Sequence, residues 1–178
     1  MQKPWLKSYP PGVPAEINPE QFRSLKHLAE QSLREHAARP AYVQMDREMS
    51  YGEVDRLSRA FGAWLQHDAG LQRGDRIAIM LPNLLQYPVV MIGAIRAGLT
   101  VVNTNPLYTA RELEHQLKDS GAKAIVILEN FATTLQAVVE RTDVRHVLLA
   151  SMGDLLGFAK GTVVNFALRH VKKRVPAF

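Results

Sequence analysis

Between Leu84 and Ala97 almost the only polar side chains are Gln86 and Arg96. Two such residues cannot wet a whole helix face, so a helix here is apolar nearly all round and belongs between layers of a protein. The alternative is that it lines a lipid tunnel. Asn83 reads as its cap and Gly98 as its stop. Pro88 removes a backbone donor and biases Tyr87 away from helical angles, so regular helix is expected from near Pro88, with a looser turn before it. Thr100 to Val102 is short and β-branched, as a strand buried on both faces should be. Asn103-Thr104-Asn105-Pro106 breaks that strand, and Thr109 with Glu112 forms a T-x-x-E capping box that starts the next helix. This is one step of an α/β sheet, with a loop at the strand's carboxyl end, where such sheets place ligands.

The same alternation runs along the chain. Ser24 caps a helix from Leu25 to about Ala37, with Leu25, Leu28, Ala29 and Leu33 on one face. Ala41–Met45 and Glu48–Tyr51 read as a hairpin turning at Asp46-Arg47. Ser50 and Glu53 form a second capping box, and Val54, Leu57, Phe61, Trp64 and Leu65 make a buried stripe behind it. Ile77–Leu81, Ala124–Leu128 and His146–Ala150 are apolar strands; Gly121 stops one helix and Asn130 caps another, running to about Arg141. The fold class is therefore α/β, an open three-layer, mostly parallel sheet. Three segments are expected: a proline-rich extended arm over 1–23, the α/β subdomain over 24–150, and a glycine-spaced linker with a basic amphipathic helix over 151–178. Trp5, Leu6 and Tyr9 make the arm seek cover, either on its own domain or on a second copy.

The chain has no cysteine, so disulfides, thiolate zinc sites and cysteine nucleophiles are excluded and a reducing compartment is allowed. Six scattered histidines with no H-E-x-x-H make a metal site unexpected. The longest apolar run, Pro88 to Ile95, is too short to span a bilayer, and no secretory signal follows Met1. No G-x-x-x-x-G-K-[ST], G-x-G-x-x-G or G-x-S-x-G occurs, so nothing here cradles a triphosphate or activates a serine. Net charge is +5 and its one mechanistic cluster is the tail. Thr162–Val175 reads as amphipathic, with Val164, Ala167, Leu168, Val171 and Val175 on one face. Arg169, Lys172, Lys173 and Arg174 near an anionic leaflet are worth about 1 kcal/mol each, enough for reversible adhesion. The alternative is a surface helix packed on its own domain. Nucleic acid is not expected, because no aromatics interleave the basic stripe.

MSYGEVDRLSRAFGAWL, residues 49–65, resembles the first core motif of the adenylate-forming superfamily, and IRAGLTVVNTNPLYTARELEHQL, residues 95–117, resembles the second. With GDRIAIMLPNLLQYPV between them, and WLKSYPPGVPAEINP and AKGTVVNF at the ends, the whole chain is similar to bacterial long-chain-fatty-acid–CoA ligases. The resemblance implies a two-step reaction: ATP and a fatty carboxylate give an acyl-adenylate and pyrophosphate, with Mg²⁺ on the phosphates, and the thiol of coenzyme A then displaces AMP. The superfamily's Ser/Thr/Gly-rich phosphate loop, aromatic–threonine–glutamate motif, ribose-binding aspartate and catalytic lysine have no counterpart here. The chain is therefore expected to be the N-terminal subdomain of such a ligase and inert alone, with no catalytic residue of its own. The loop of Asn105, Pro106, Leu107, Tyr108 and Arg111 matches one that lies towards the coenzyme A side in some relatives; some carry a basic residue where Leu107 stands. Its other reading is a structural turn. The resemblance further implies a cytoplasmic enzyme, peripheral on the inner membrane face if the tail adheres, and a homodimer contact at the N-terminal arm. The rival is a self-sufficient module for dimerisation or membrane docking.

Overall fold

Helices sit between successive apolar strands, and a strand that must return over a helix pairs in parallel. The computed structural model, which describes residues 3–178, shows this arrangement. In chain order the elements are α1 (Leu25–Glu35), the antiparallel hairpin β1 (Pro40–Gln44) and β2 (Arg47–Ser50), α2 (Tyr51–His67), β3 (Arg76–Met80), α3 (Gln86–Arg96), β4 (Thr100–Asn103), α4 (Ala110–Ser120), β5 (Ala124–Leu128), α5 (Ala132–Gln136), β6 (His146–Ala150) and α6 (Phe158–Phe166). The last four strands form one parallel sheet in the order β4-β3-β5-β6, with Ile77 opposite Val101 on one side and Ala124 on the other.

Alternation along the strands divides the core. Ile77, Ile79, Val126 and Leu128 face α2 and α3, against Leu65, Val90 and Ala94. Ala78, Met80, Ile125 and Ile127 face α4 and α5, against Leu113, Leu117 and Leu135. The other side of α3 is covered too: Val89 and Ile92 pack with Leu33, Met49 and Val54 from α1, the hairpin and α2. The apolar helix is thus core on both sides, filled by side chains. A hollow of about 260 Å³ adjoins its N-terminal end, beside Tyr42, Val43 and Tyr87.

α2 and α3 touch backbone to backbone. A Cβ at Gly62 would lie 2.9 Å from the Gly93 carbonyl oxygen, and one at Gly93 would lie 2.8 Å from Phe61 Cδ1. Arg96 closes this crossing. Its buried guanidinium pairs with Asp55, lies 3.5 Å from Glu30 and donates to Ser58 Oγ at 2.5 Å. Burial pushes the Asp55 carboxyl up, but hydrogen bonds from Arg59 and Arg96 outweigh that and hold it below the usual carboxylate range.

Several sequence expectations need correction. β4 is an edge strand, and Thr100 and Asn103 are exposed, so the strand is not buried on both faces. The hairpin turns one residue earlier than expected, at Met45 and Asp46, both with positive φ as a tight primed turn requires. Helix α3 starts at Gln86, near Pro88 and after a turn closed by Tyr87 on the Leu84 carbonyl, as expected, and the missing donor of Pro88 falls in the first turn; the cap position, however, is Leu85 and not Asn83. Helix α1 ends at Glu35, and Leu25 on its expected apolar face is exposed. Ser50 caps α2, but Glu53 turns to Arg47 at 2.6 Å instead of closing the box. On the arm, whose first two residues lie outside those described, prolines begin two 3₁₀ turns, Pro4–Ser8 and Pro19–Gln21, because a first-turn residue needs no N–H. No residue from 3 to 24 is buried, and Lys3 pairs with Glu16 at 2.6 Å.

Candidate functional site: the carboxyl rim of the sheet

In a parallel sheet all strands end on one rim. Over β4 that rim is shaped by a tight turn. The Asn105 side chain accepts from the Leu107 amide at 3.0 Å, and its carbonyl accepts from the Tyr108 amide at 3.1 Å. Thr109 then opens α4. Glu112 Oε2 accepts from both the backbone N–H and the hydroxyl of Thr109 at 2.8 Å, and these bonds hold its carboxyl below the usual range. The expected capping box is complete. Tyr108, Arg111, Glu112, His115 and Gln116 line an open hollow of about 780 Å³ beside this helix. Among the five residues singled out in this loop, the structure brings together Tyr108 and Arg111. Asn105 is engaged in the turn, Pro106 stands outside the hollow, and Leu107 points to solvent at 80 % exposure. Arg111 makes no ion pair among the described residues. The arrangement offers a single arginine, two carboxylates, Glu112 and Asp119, and two aromatic rings, Tyr108 and His115. The Glu112 carboxylate, bonded to the Thr109 N–H and hydroxyl, places a negative charge beside the first turn of the helix.

Over β5 and β6 the rim is closed by the chain itself. Glu129 follows β5 directly and Ser151 follows β6. Arg169 donates to Glu129 Oε2 through Nη2 at 2.7 Å and Nε at 3.1 Å, and to Ser151 Oγ at 2.9 Å. The hydrogen bond to Glu129 raises the Arg169 pKa above its already high value. The Gln86 side chain donates to the Ser151 carbonyl at 2.7 Å, tying α3 into the same knot. Glu129 is 4 % exposed. Asn130 donates to the Arg174 carbonyl at 2.9 Å, so it holds the tail and is not the cap of a helix; α5 is only Ala132–Gln136 between two 3₁₀ turns. Gly153 and Gly161 let α6 lie against the turn after β6, where a Cβ on either would strike the other's carbonyl oxygen. Asn165 accepts from the Gly153 amide at 2.8 Å.

The basic tail is therefore split. Arg169, expected on an outward basic stripe with Lys172, Lys173 and Arg174, turns inward to a buried carboxylate. The other three are exposed. The expected helix to Val175 stops early: after Phe166 the turn widens to a π-turn over Ala167–Val171, and Lys173 takes a left-handed φ of 47°. Val164 and Leu168 sit half-buried on the domain, whereas Val171 faces out. Sequence reasoning missed Glu129 and Ser151. The signal was a polar residue directly after each of two apolar strands. No three His, Asp or Glu side chains approach closely enough to hold a metal ion among the described residues.

The chain belongs to the AMP-binding enzyme family, whose match spans residues 29–175. It is 56 % identical to the long-chain-fatty-acid–CoA ligase of Salmonella typhimurium over 178 residues, which is 100 % of this chain and 32 % of that protein. It is 50 % identical to that of Haemophilus influenzae over 178 residues, again 100 % of this chain and 32 % of the relative. A Mycobacterium tuberculosis fatty acyl CoA synthetase superposes with a TM-score of 0.66 at 25 % identity, covering 74 % of this chain and 26 % of that chain. The chain spans about a third of the length of the curated relatives it matches.

Proposed function

We propose that this chain is the N-terminal part of a ligase that activates long-chain fatty acids with ATP and transfers the acyl group to coenzyme A, feeding fatty-acid metabolism such as β-oxidation. The observation that carries the reading is its 56 % identity, over 178 residues, to a long-chain-fatty-acid–CoA ligase of which it covers 32 %. ATP, Mg²⁺ and coenzyme A are the parent ligase's cofactors and substrates in this reading; among the described residues no three His, Asp or Glu side chains cluster, so no step on the metal is assigned to this chain. Coenzyme A has one candidate contact, Arg111 with Tyr108 at the open hollow, which suits one anionic group. Asn105, Pro106 and Leu107 would contribute shape there through the turn they build. The parent enzyme is read as cytoplasmic, touching anionic membrane through the basic tail. The arm, with Trp5, Tyr9, Val13 and Ile17 uncovered, is the segment proposed for a homodimer contact. No helix is long and apolar enough to cross a membrane among the described residues.

A chimaera tests the reading. This chain replaces the matching segment of the Salmonella ligase, and acyl-CoA formation is assayed with a long-chain fatty acid. Activity within about tenfold of the parent is expected, and a folded but inactive chimaera would overturn the proposal. The 178-residue chain alone is expected to release no pyrophosphate from ATP and fatty acid.

A further inference from the structure

The tail helix is more exposed than its sequence suggests. Phe158 is 93 % exposed, Val163 67 %, Phe166 60 % and Val171 70 %. They form an apolar ridge on the outer side of α6 and the turn that follows. The helix cannot roll to bury them. Its inner side is fixed by the Gly153–Gly161 contact, by Asn165 on the Gly153 amide, and by Arg169 on Glu129. Beside the ridge stand Lys172, Lys173 and Arg174, exposed and in no ion pair among the described residues. Residues 151–178 carry five basic side chains against one acid, Asp154. Two of the five are already committed, Arg169 to Glu129 and Lys160 to the Met45 carbonyl and Asp46.

We propose that this ridge is a wedge that seats the protein on an anionic phospholipid surface. Phe158, Val163 and Phe166 enter the interface, and Lys172, Lys173 and Arg174 meet the headgroups. The inference deepens the basic-tail reading above and rests on it, but it moves the membrane contact to a different set of apolar residues. The apolar positions of the amphipathic pattern, such as Val164 and Leu168, sit half-buried on the domain. A convex ridge of bulky apolar groups flanked by free cations has the make-up of an interfacial helix. The buried centre of a protein–protein interface is instead depleted in lysine. Charge complementarity selects the anionic leaflet: each exposed cation adds roughly fivefold in partitioning near such a surface.

The test uses the full 178-residue chain with lipid vesicles, either pure phosphatidylcholine or phosphatidylcholine with roughly a third phosphatidylglycerol. Sedimentation with the anionic vesicles is expected, and weak retention on the neutral ones. F158S/F166S should lower the partition coefficient about tenfold or more while leaving the thermal melt unchanged. F166W should shift its emission to the blue on anionic vesicles and be quenched by brominated acyl chains, read against the wild-type signal of Trp5 and Trp64. If the wild type binds, F158S/F166S binds equally well and F166W stays unquenched, the wedge is overturned and the basic tail stands. If the wild type is not retained even at low salt, both are overturned. If F158S/F166S abolishes self-association on size exclusion and leaves vesicle binding intact, the ridge contacts protein and the proposal falls.

Discussion

Two stretches of one sheet rim are finished in opposite ways. Over β4 the strand end is held by Tyr87 and Gln116, which both donate to Asn103, but the loop beyond it is satisfied locally: Asn105 bonds two residues on and Thr109 with Glu112 close a box within one turn, so the surface beyond them stays open. Over β5 and β6 the rim is satisfied from a distance, by Arg169 reaching back to Glu129 and Ser151. Local satisfaction leaves a surface free for a ligand. Long-range satisfaction uses that surface to hold the chain together. A loop's position at a carboxyl rim is therefore not enough to name it a site; what already occupies its polar groups decides.

Breaking the closed side should cost most. Gly153→Ala pushes a Cβ into the Gly161 carbonyl, backbone against backbone, and should destabilise by about 3 kcal/mol in urea melts, with early proteolysis after residue 151. Arg169→Ala leaves the Glu129 carboxylate buried without its partner. The expected loss is about 2–3 kcal/mol, below the full value for a buried pair because the arginine itself is 45 % exposed. Adding Glu129→Gln should recover most of it, and a single-variant loss under about 0.5 kcal/mol would show that the rim is not closed in this way. On the open side the costs shrink. Thr109→Ala removes the cap of α4 and should cost about 1 kcal/mol. Arg111→Ala should change stability by less than about 0.5 kcal/mol, yet raise the KM for coenzyme A in the active chimaera. The smallest effect is electrostatic. Hydrogen bonds from Arg141 and Lys118 lower the Glu114 carboxyl from 4.5 to about 2. A depressed carboxylate contributes its stability above the unfolded value and loses it as the pH falls, here between about 4.5 and 2. Glu114→Gln should flatten the acid limb in that window, by less in high salt, since both of its cationic partners are exposed.

The sheet and its helix order were legible in the sequence because burial on two faces writes long apolar runs, as in Ala124–Leu128. The complete capping box at Thr109 was legible for a similar reason: both partners lie within one turn. What escaped depends on partners far apart. Glycine is a poor helix residue and carries no sign of its partner, yet Gly62 and Gly93 are the contact that lets α2 and α3 meet. Ser58, buried on α2, takes its place from Arg96 thirty-eight positions on. Arg169 read as part of a basic stripe because nothing near it in sequence is acidic. Asn130 read as a cap because its true partner, the Arg174 carbonyl, is forty-four positions away.

The strand order β4-β3-β5-β6 also sets a timetable. On a ribosome the middle strand, β3, is made first. It gains β4 on one edge early, but its other edge stays unpaired until Ala124–Leu128 has emerged. Through that interval Ile77 and Ile79 sit on an open, apolar strand that any neighbouring nascent chain can pair with. The translation of β5 closes that edge of β3, and β6 in turn closes the open edge of β5. Slow codons placed just before β5 would be expected to lengthen that interval, and the same codons placed after β6 would not.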